Sequence, residues 1–141
     1  KDQGVGWVKT IVFGGSGFLV SYVANALTNA GYDVAVFDCG ESPYLRPDQE
    51  MIVGSILDKE IVEGAVKGCD VVYNFAGTAD LDEAARRPIE SVEVNILGNT
   101  IVLEASRKVD GKRFVFASSL YVYSKAGSFY RSTKNRGRSV N

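Results

Sequence analysis

Short β-branched runs alternate with longer stretches of helical period along most of this 141-residue chain. Strands are predicted over 7–13 (WVKTIVF), 33–38 (DVAVFD), 51–54 (MIVG), 70–77 (DVVYNFAG) and 113–119 (RFVFASS). Between the first two, residues 17–31 carry Leu19, Val20, Val23, Ala24 and Leu27 at helical spacing and end at Gly31, as a helix C-cap would. A second helix is predicted over 58–68 with Asp58 as its N-cap. A third is predicted over 88–108, with Pro88 in its first turn. Residues 41–49 hold Pro43 and Pro47 and read as a loop. Strand–helix alternation at this spacing implies βαβ units with right-handed crossovers. The expected fold class is therefore α/β: a doubly wound, mainly parallel sheet with helices on both faces, in three αβα layers. The length suits one domain, and an apolar fraction of 45% is enough to fill its core.

Composition excludes several chemistries. The chain has no histidine and two cysteines, Cys39 and Cys69. Histidine-based triads and most zinc sites are thereby removed, so no metal site is expected. The cysteines read as reduced thiols of a cytoplasmic protein. A net charge of −1, spread along the chain, argues against a nucleic-acid partner. No apolar run is long enough to span a membrane, and the opening KDQGVGW has no signal-peptide pattern.

Ligands of doubly wound sheets bind beyond the carboxyl ends of the strands. There, "IVFGGSGFLV" places Gly14, Gly15 and Gly17 between the first strand and the first helix. Two glycine registers fit, Gly14-x-x-Gly17 and Gly15-x-Gly17, and both put Val20 where a further glycine is expected. Early glycines let the backbone turn tightly against a pyrophosphate held by the helix N-terminus. The last serves helix–strand packing, so Val20 is expected to strain or loosen that packing. A plain βα turn fits these residues too. Asp38, 21 residues after Gly17, shifts the balance. A carboxylate at that distance accepts hydrogen bonds from an adenosine ribose and repels a 2′-phosphate, which favours NAD over NADP. A loop-capping aspartate is the plainer alternative.

"YRSTK" sets Tyr130 and Lys134 four apart, one above the other on a helix face. An adjacent ammonium favours the phenolate and makes a tyrosine usable as a base. Ser118 and Ser119 end the predicted fifth strand, where a hydroxyl meets a substrate oxygen. The intervening "YVY" reads as core.

Taken in order, "GGSGFL", "VFD", "GSILD", "VVYNFAG", "VNILGN", "FVFASSLYVY" and "YRSTK" resemble the extended short-chain dehydrogenase/reductase family, the NAD-dependent epimerase/dehydratases of nucleotide sugars. The resemblance covers roughly residues 8 to 134. It implies a Rossmann fold with NAD as cofactor. Gly14, Gly17, Phe18 and Leu19 would cradle the pyrophosphate and Asp38 the ribose. Ser55 and Ile56 would meet the adenine. Phe75, Ala76, Gly77 and, on the following helix, Asn95 would line the cofactor. Ser119, Tyr130 and Lys134 would be catalytic, with Lys134 also holding the nicotinamide ribose. It further implies a nucleotide-sugar substrate, with a homodimer kept open. The chain departs from the family pattern at Val20, Ser55 and Asn99. Residues 1–141 are expected to be the NAD-binding domain, ending within the helix of Tyr130 and Lys134 and lacking the C-terminal substrate lobe. A non-catalytic or truncated NAD-binding module is the rival reading.

Overall fold

Five parallel strands form one sheet in the order β3-β2-β1-β4-β5. They are β1 (Lys9–Phe13), β2 (Asp33–Asp38), β3 (Glu50–Val53), β4 (Val71–Asn74) and β5 (Arg113–Phe116). The computed structural model describes residues 7–77, 85–109 and 113–116. The sheet starts at its centre with β1, winds outward through β2 and β3, then reverses to β4 and β5. The reversal lies between β1 and β4, and there the strand ends part to open a crevice. Phe13 is in register with Phe37 on one side and Asn74 on the other, so the three carboxyl ends lie level.

Helices cover both faces. Helix α1 (Phe18–Asn29) joins β1 to β2 and packs on one face, where Ala24 meets Val12, Val34 and Val36. Helix α2 (Lys59–Val66) and the long helical segment after β4 cover the other, against Ile11, Phe13, Ala35, Phe37 and Val72. Ile11, Val12 and Phe13 are all fully buried, as a central strand sandwiched between two helical layers requires. The architecture is the expected three-layer, doubly wound one. Among the described residues no helix is long and apolar enough to cross a membrane.

Local signals act where the sequence places them. Gly31 adopts φ +93°, and the last turn of α1 closes on it: the Gly31 N–H donates to the Thr28 carbonyl and the Tyr32 N–H to the Leu27 carbonyl. That pair of bonds is the Schellman ending. Asp58 caps α2, its carboxylate accepting from the Ile61 N–H at 3.3 Å. The predicted strand 70–77 ends at Asn74, because Phe75, Ala76 and Gly77 leave the sheet as a loop. Residues 117–119 of the predicted fifth strand lie outside the described residues.

Two expectations change. The single helix predicted over 88–108 consists of α3 (Pro88–Val92), a π-helical turn (Glu93–Gly98) and α4 (Asn99–Lys108). A five-residue backbone bond leaves no mark in apolar periodicity, which is why the sequence gives one helix. The wide turn passes close to the β3–α2 loop. A Cβ on Gly98 would stand 2.9 Å from Ile56 Cγ2.

Val20 is the second. Rather than prising α1 from the sheet, it is half-buried against Val12, Ala24, Val34 and Val36. The close helix–strand approach falls on Gly15 instead, where a Cβ would stand 2.7 Å from Val36 Cγ1 and 3.2 Å from the Val12 carbonyl oxygen. Val20 fills space that a glycine would leave open. Val20→Gly is therefore expected to lower stability by about 1–2 kcal/mol, from lost burial and the poor helix propensity of glycine. Urea denaturation measures it, and a more stable variant would restore the strain reading.

Candidate cofactor site

At the switch point between β1 and β4 lies a cavity of about 450 Å³. Four chain segments and one helical turn line it. Gly14, Ser16 and Gly17 come from the loop after β1, and Phe37, Asp38 and Cys39 from the end of β2. Gly54, Ser55 and Ile56 follow β3; Phe75, Ala76 and Gly77 follow β4; Val94 reaches in from the π-helical turn. Parallel strands ending level are what bring these five segments to one crevice.

The glycine loop is shaped by its neighbours. Gly14 holds φ +78°, and its N–H donates to the Phe37 carbonyl at 2.8 Å. The loop after β4 lies directly against it: a Cβ on Gly14 would stand 2.7 Å from the Ala76 nitrogen and 2.8 Å from the Phe75 carbonyl carbon. Gly17 is the N-cap of α1 in extended conformation. Gly17 has no side chain to cap this helix, and its first turn holds no acidic residue. The first-turn N–H groups and the positive end of the helix dipole are thus left for an anion. A Cβ on Gly17 would meet nothing within 4 Å.

Asp38 lies beside this positive end. Its Oδ1 accepts from the Cys39 N–H at 2.7 Å, and its Oδ2 from the Ser16 N–H at 3.1 Å. The Ser16 hydroxyl donates to the same Oδ2. The carboxylate is therefore fixed at the cavity edge, tied to the glycine loop 22 residues earlier. The Cys39 thiol, beside it, has its pKa pushed up, first by hydrogen bonding to Asp38 and then by burial. An acceptor for a ribose diol and a nest of N–H donors for a diphosphate thus share one crevice. These groups fit a dinucleotide. Among the described residues no cluster of three or more histidine, cysteine or acidic side chains is placed to hold a metal ion.

Of the residues picked out in the sequence, Gly14, Gly17, Asp38, Ser55, Ile56, Phe75, Ala76 and Gly77 line this cavity together. Phe18 and Leu19 do not: their side chains point to solvent, and Phe18 instead meets the rings of Tyr22 and Tyr44. Their contribution to the site is limited to the backbone N–H groups of the first helical turn. Asn95 is buried on the π-helical turn and is not among the lining residues. Ser119, Tyr130 and Lys134 lie outside the described residues. Ser16 and Val94 were not singled out beforehand. Ser16 sits inside the glycine motif, where a hydroxyl beside an acid-bearing strand end was a usable signal. Val94 had none, since only the π-helical turn brings it to the crevice.

Known proteins share this fold and much of this sequence. The model of the NAD dependent epimerase/dehydratase family matches residues 10–138. A putative UDP-glucose 4-epimerase of Methanocaldococcus jannaschii is 32% identical over 113 residues, covering 77% of this chain and 37% of the relative. A UDP-N-acetyl-alpha-D-glucosaminuronate decarboxylase of Bacillus cytotoxicus is 32% identical over 123 residues, covering 83% of this chain and 38% of the relative. Among solved structures, the UDP-glucose 4-epimerase of Brucella ovis in complex with NAD superposes with a TM-score of 0.83 at 25% identity, over 93% of this chain and 46% of that one. The chain thus spans little more than a third of the length of these two relatives. With the glycine turn and Asp38 lining one cavity and a family match over nearly all of its residues, the chain belongs to the NAD dependent epimerase/dehydratase family.

Proposed function

We propose that this chain is the cofactor-binding part of an NAD-dependent epimerase or dehydratase acting on a nucleotide sugar. The observation that carries the reading is that Asp38 and the glycine-led N-terminus of α1 line one cavity, held together through Ser16. First-turn N–H groups, with Gly14 and Gly17 allowing close approach, hold the pyrophosphate. Asp38 accepts from the adenosine ribose, Ser55 and Ile56 flank the adenine, and Phe75, Ala76 and Gly77 form the floor. The substrate class rests on relatives whose names carry a UDP-linked sugar, one an epimerase and one a decarboxylase.

Bound NAD supplies the acceptor for a hydride from a sugar carbon, and can return it. Tyr130 takes the proton from the hydroxyl on that carbon. Lys134, four residues on in the sequence, favours the phenolate that does so and holds the nicotinamide ribose. Ser119 donates a hydrogen bond to the reacting oxygen. The two electrons leave with the hydride and the proton leaves to Tyr130, so the sugar passes through a carbonyl. Because NAD could return what it takes, epimerisation would need no outside oxidant.

The cofactor reading is tested by titrating NAD and NADP into the chain by calorimetry. NAD is expected to bind tighter by about tenfold or more, since a 2′-phosphate a few ångströms from Asp38 meets about 1–4 kcal/mol of repulsion, depending on its exposure to solvent. Asp38→Ala is expected to weaken NAD and erase most of the preference. Equal affinities in the wild type would sink the assignment of Asp38.

A further inference from the structure

Asn99 touches no part of the cavity, yet a chain of contacts runs from it to the pyrophosphate turn. It opens α4, directly after the π-helical turn, and is buried at 1% exposure. Its Oδ1 accepts from Asn74 Nδ2 at 3.0 Å. Asn74, the last residue of β4, is fully buried. With its Nδ2 committed to Asn99, its Oδ1 faces forward and accepts from the Ala76 N–H at 3.1 Å. Ala76 in turn lies against Gly14 so closely that no Cβ fits between them. The carboxamide of Asn74 has two ends of opposite polarity, and only one orientation serves the Ala76 N–H.

We propose that Asn99 is a positioning residue, which fixes the floor of the cofactor site by orienting the Asn74 carboxamide toward Ala76. The proposal rests on reading the cavity as the NAD site. An acceptor at position 99 holds the Asn74 amide nitrogen at the helix. The amide oxygen is then the end presented to the loop, and the Phe75–Gly77 floor keeps the shape against which Gly14 turns. Without that acceptor the carboxamide loses its reason to prefer this orientation. Rotated the other way, it would set its own N–H₂ against the Ala76 N–H, two donors facing each other in a buried site.

The π-helical turn is part of the device. It lets Gly98 sit against Ile56 while the next residue faces Asn74. One stretch of helix therefore contacts Ile56 of the cavity lining through Gly98 and, through Asn99, the Asn74 that holds the Ala76 N–H.

The deciding comparison is Asn99→Val against Asn99→Thr. These side chains have the same shape, and only threonine offers an acceptor. NAD affinity is read by calorimetry, and the hydrogen exchange of the Ala76 and Val12 amides by NMR. In Asn99→Val we expect NAD to bind about tenfold more weakly, as for loss of one net hydrogen bond, and Ala76 to exchange about tenfold faster. Val12, in the central strand, should keep its protection, which separates a local effect from general loosening. Asn99→Thr should return both quantities to near wild type. Equal NAD affinity in the two variants, or an Ala76 amide as protected in Asn99→Val as in the wild type, overturns the proposal. If Asn99→Val does not fold, Asn99→Ser against Asn99→Ala makes the same comparison with the same outcomes. A wild-type chain that ignores NAD would overturn the cofactor reading instead, and the Ala76 exchange rate would still decide the role of Asn99.

Discussion

Gly14→Ala is expected to abolish measurable NAD binding and to lower folding stability by about 2–4 kcal/mol. Two effects combine. The φ of +78° at Gly14 is a left-handed conformation that costs an L-residue about 1–2 kcal/mol. The added methyl would also stand 2.7 to 2.9 Å from three backbone atoms of Phe75 and Ala76. Backbone cannot rotate aside as a flexible side chain does. The loops after β1 and β4 would have to part, and both are tied down: the Gly14 N–H to Phe37 and the Phe75 N–H to Phe13, each at 2.8 Å. Gly17→Ala is the control. Its φ of −71° suits alanine, and its Cβ would meet nothing within 4 Å. Gly17→Ala should therefore fold like the wild type, and any loss of NAD affinity in it belongs to the ligand's own approach. Urea denaturation with calorimetry reads both variants. A Gly14→Ala protein of near-native stability that still binds NAD would mean the turn is not the close contact described.

How much of this was legible beforehand depends on the range of the interaction. Signals acting within a few residues read cleanly. Strand β2 matches its predicted bounds because "DVAVFD" is apolar on both faces and flanked by breakers. Gly31 and Asp58 end and start their helices where their capping chemistry says. Contacts between distant segments were not legible. Val20 looked like a defect because a motif says which residue is absent, not what fills the space. Gly15 relieves the close approach instead, and its partner Val36 lies two elements away. Phe18 and Leu19 carry the right backbone in the right place, but the motif does not say where their side chains go. The π-helical turn is the clearest case. It sets Gly98 against Ile56, a residue of a distant segment, and apolar periodicity averages over it. Asn99 looked like a mere departure from the family pattern until its contact with Asn74 gave it a role to test.

Tyr130→Phe is expected to lower turnover of a UDP-linked sugar by about 10²–10⁴-fold while leaving NAD affinity near wild type. The reasoning starts from the phenol itself. A free tyrosine has a pKa near 10, so only about 0.1% is phenolate at neutral pH. A Lys134 ammonium close to the phenol would favour the charged form and enlarge that fraction. Removing the hydroxyl removes the base and keeps the ring, so binding and chemistry separate. The assay follows epimerised UDP-glucose and NADH absorbance in the wild type and in Tyr130→Phe, with NAD affinity measured alongside. Turnover that survives in Tyr130→Phe would remove Tyr130 from the mechanism and move the search to another base. Turnover absent from both proteins, with NAD bound by both, would favour the non-catalytic module. The cavity would then be a dinucleotide site in its own right, and Gly14, Asp38 and the α1 N-terminus would keep their roles without Tyr130.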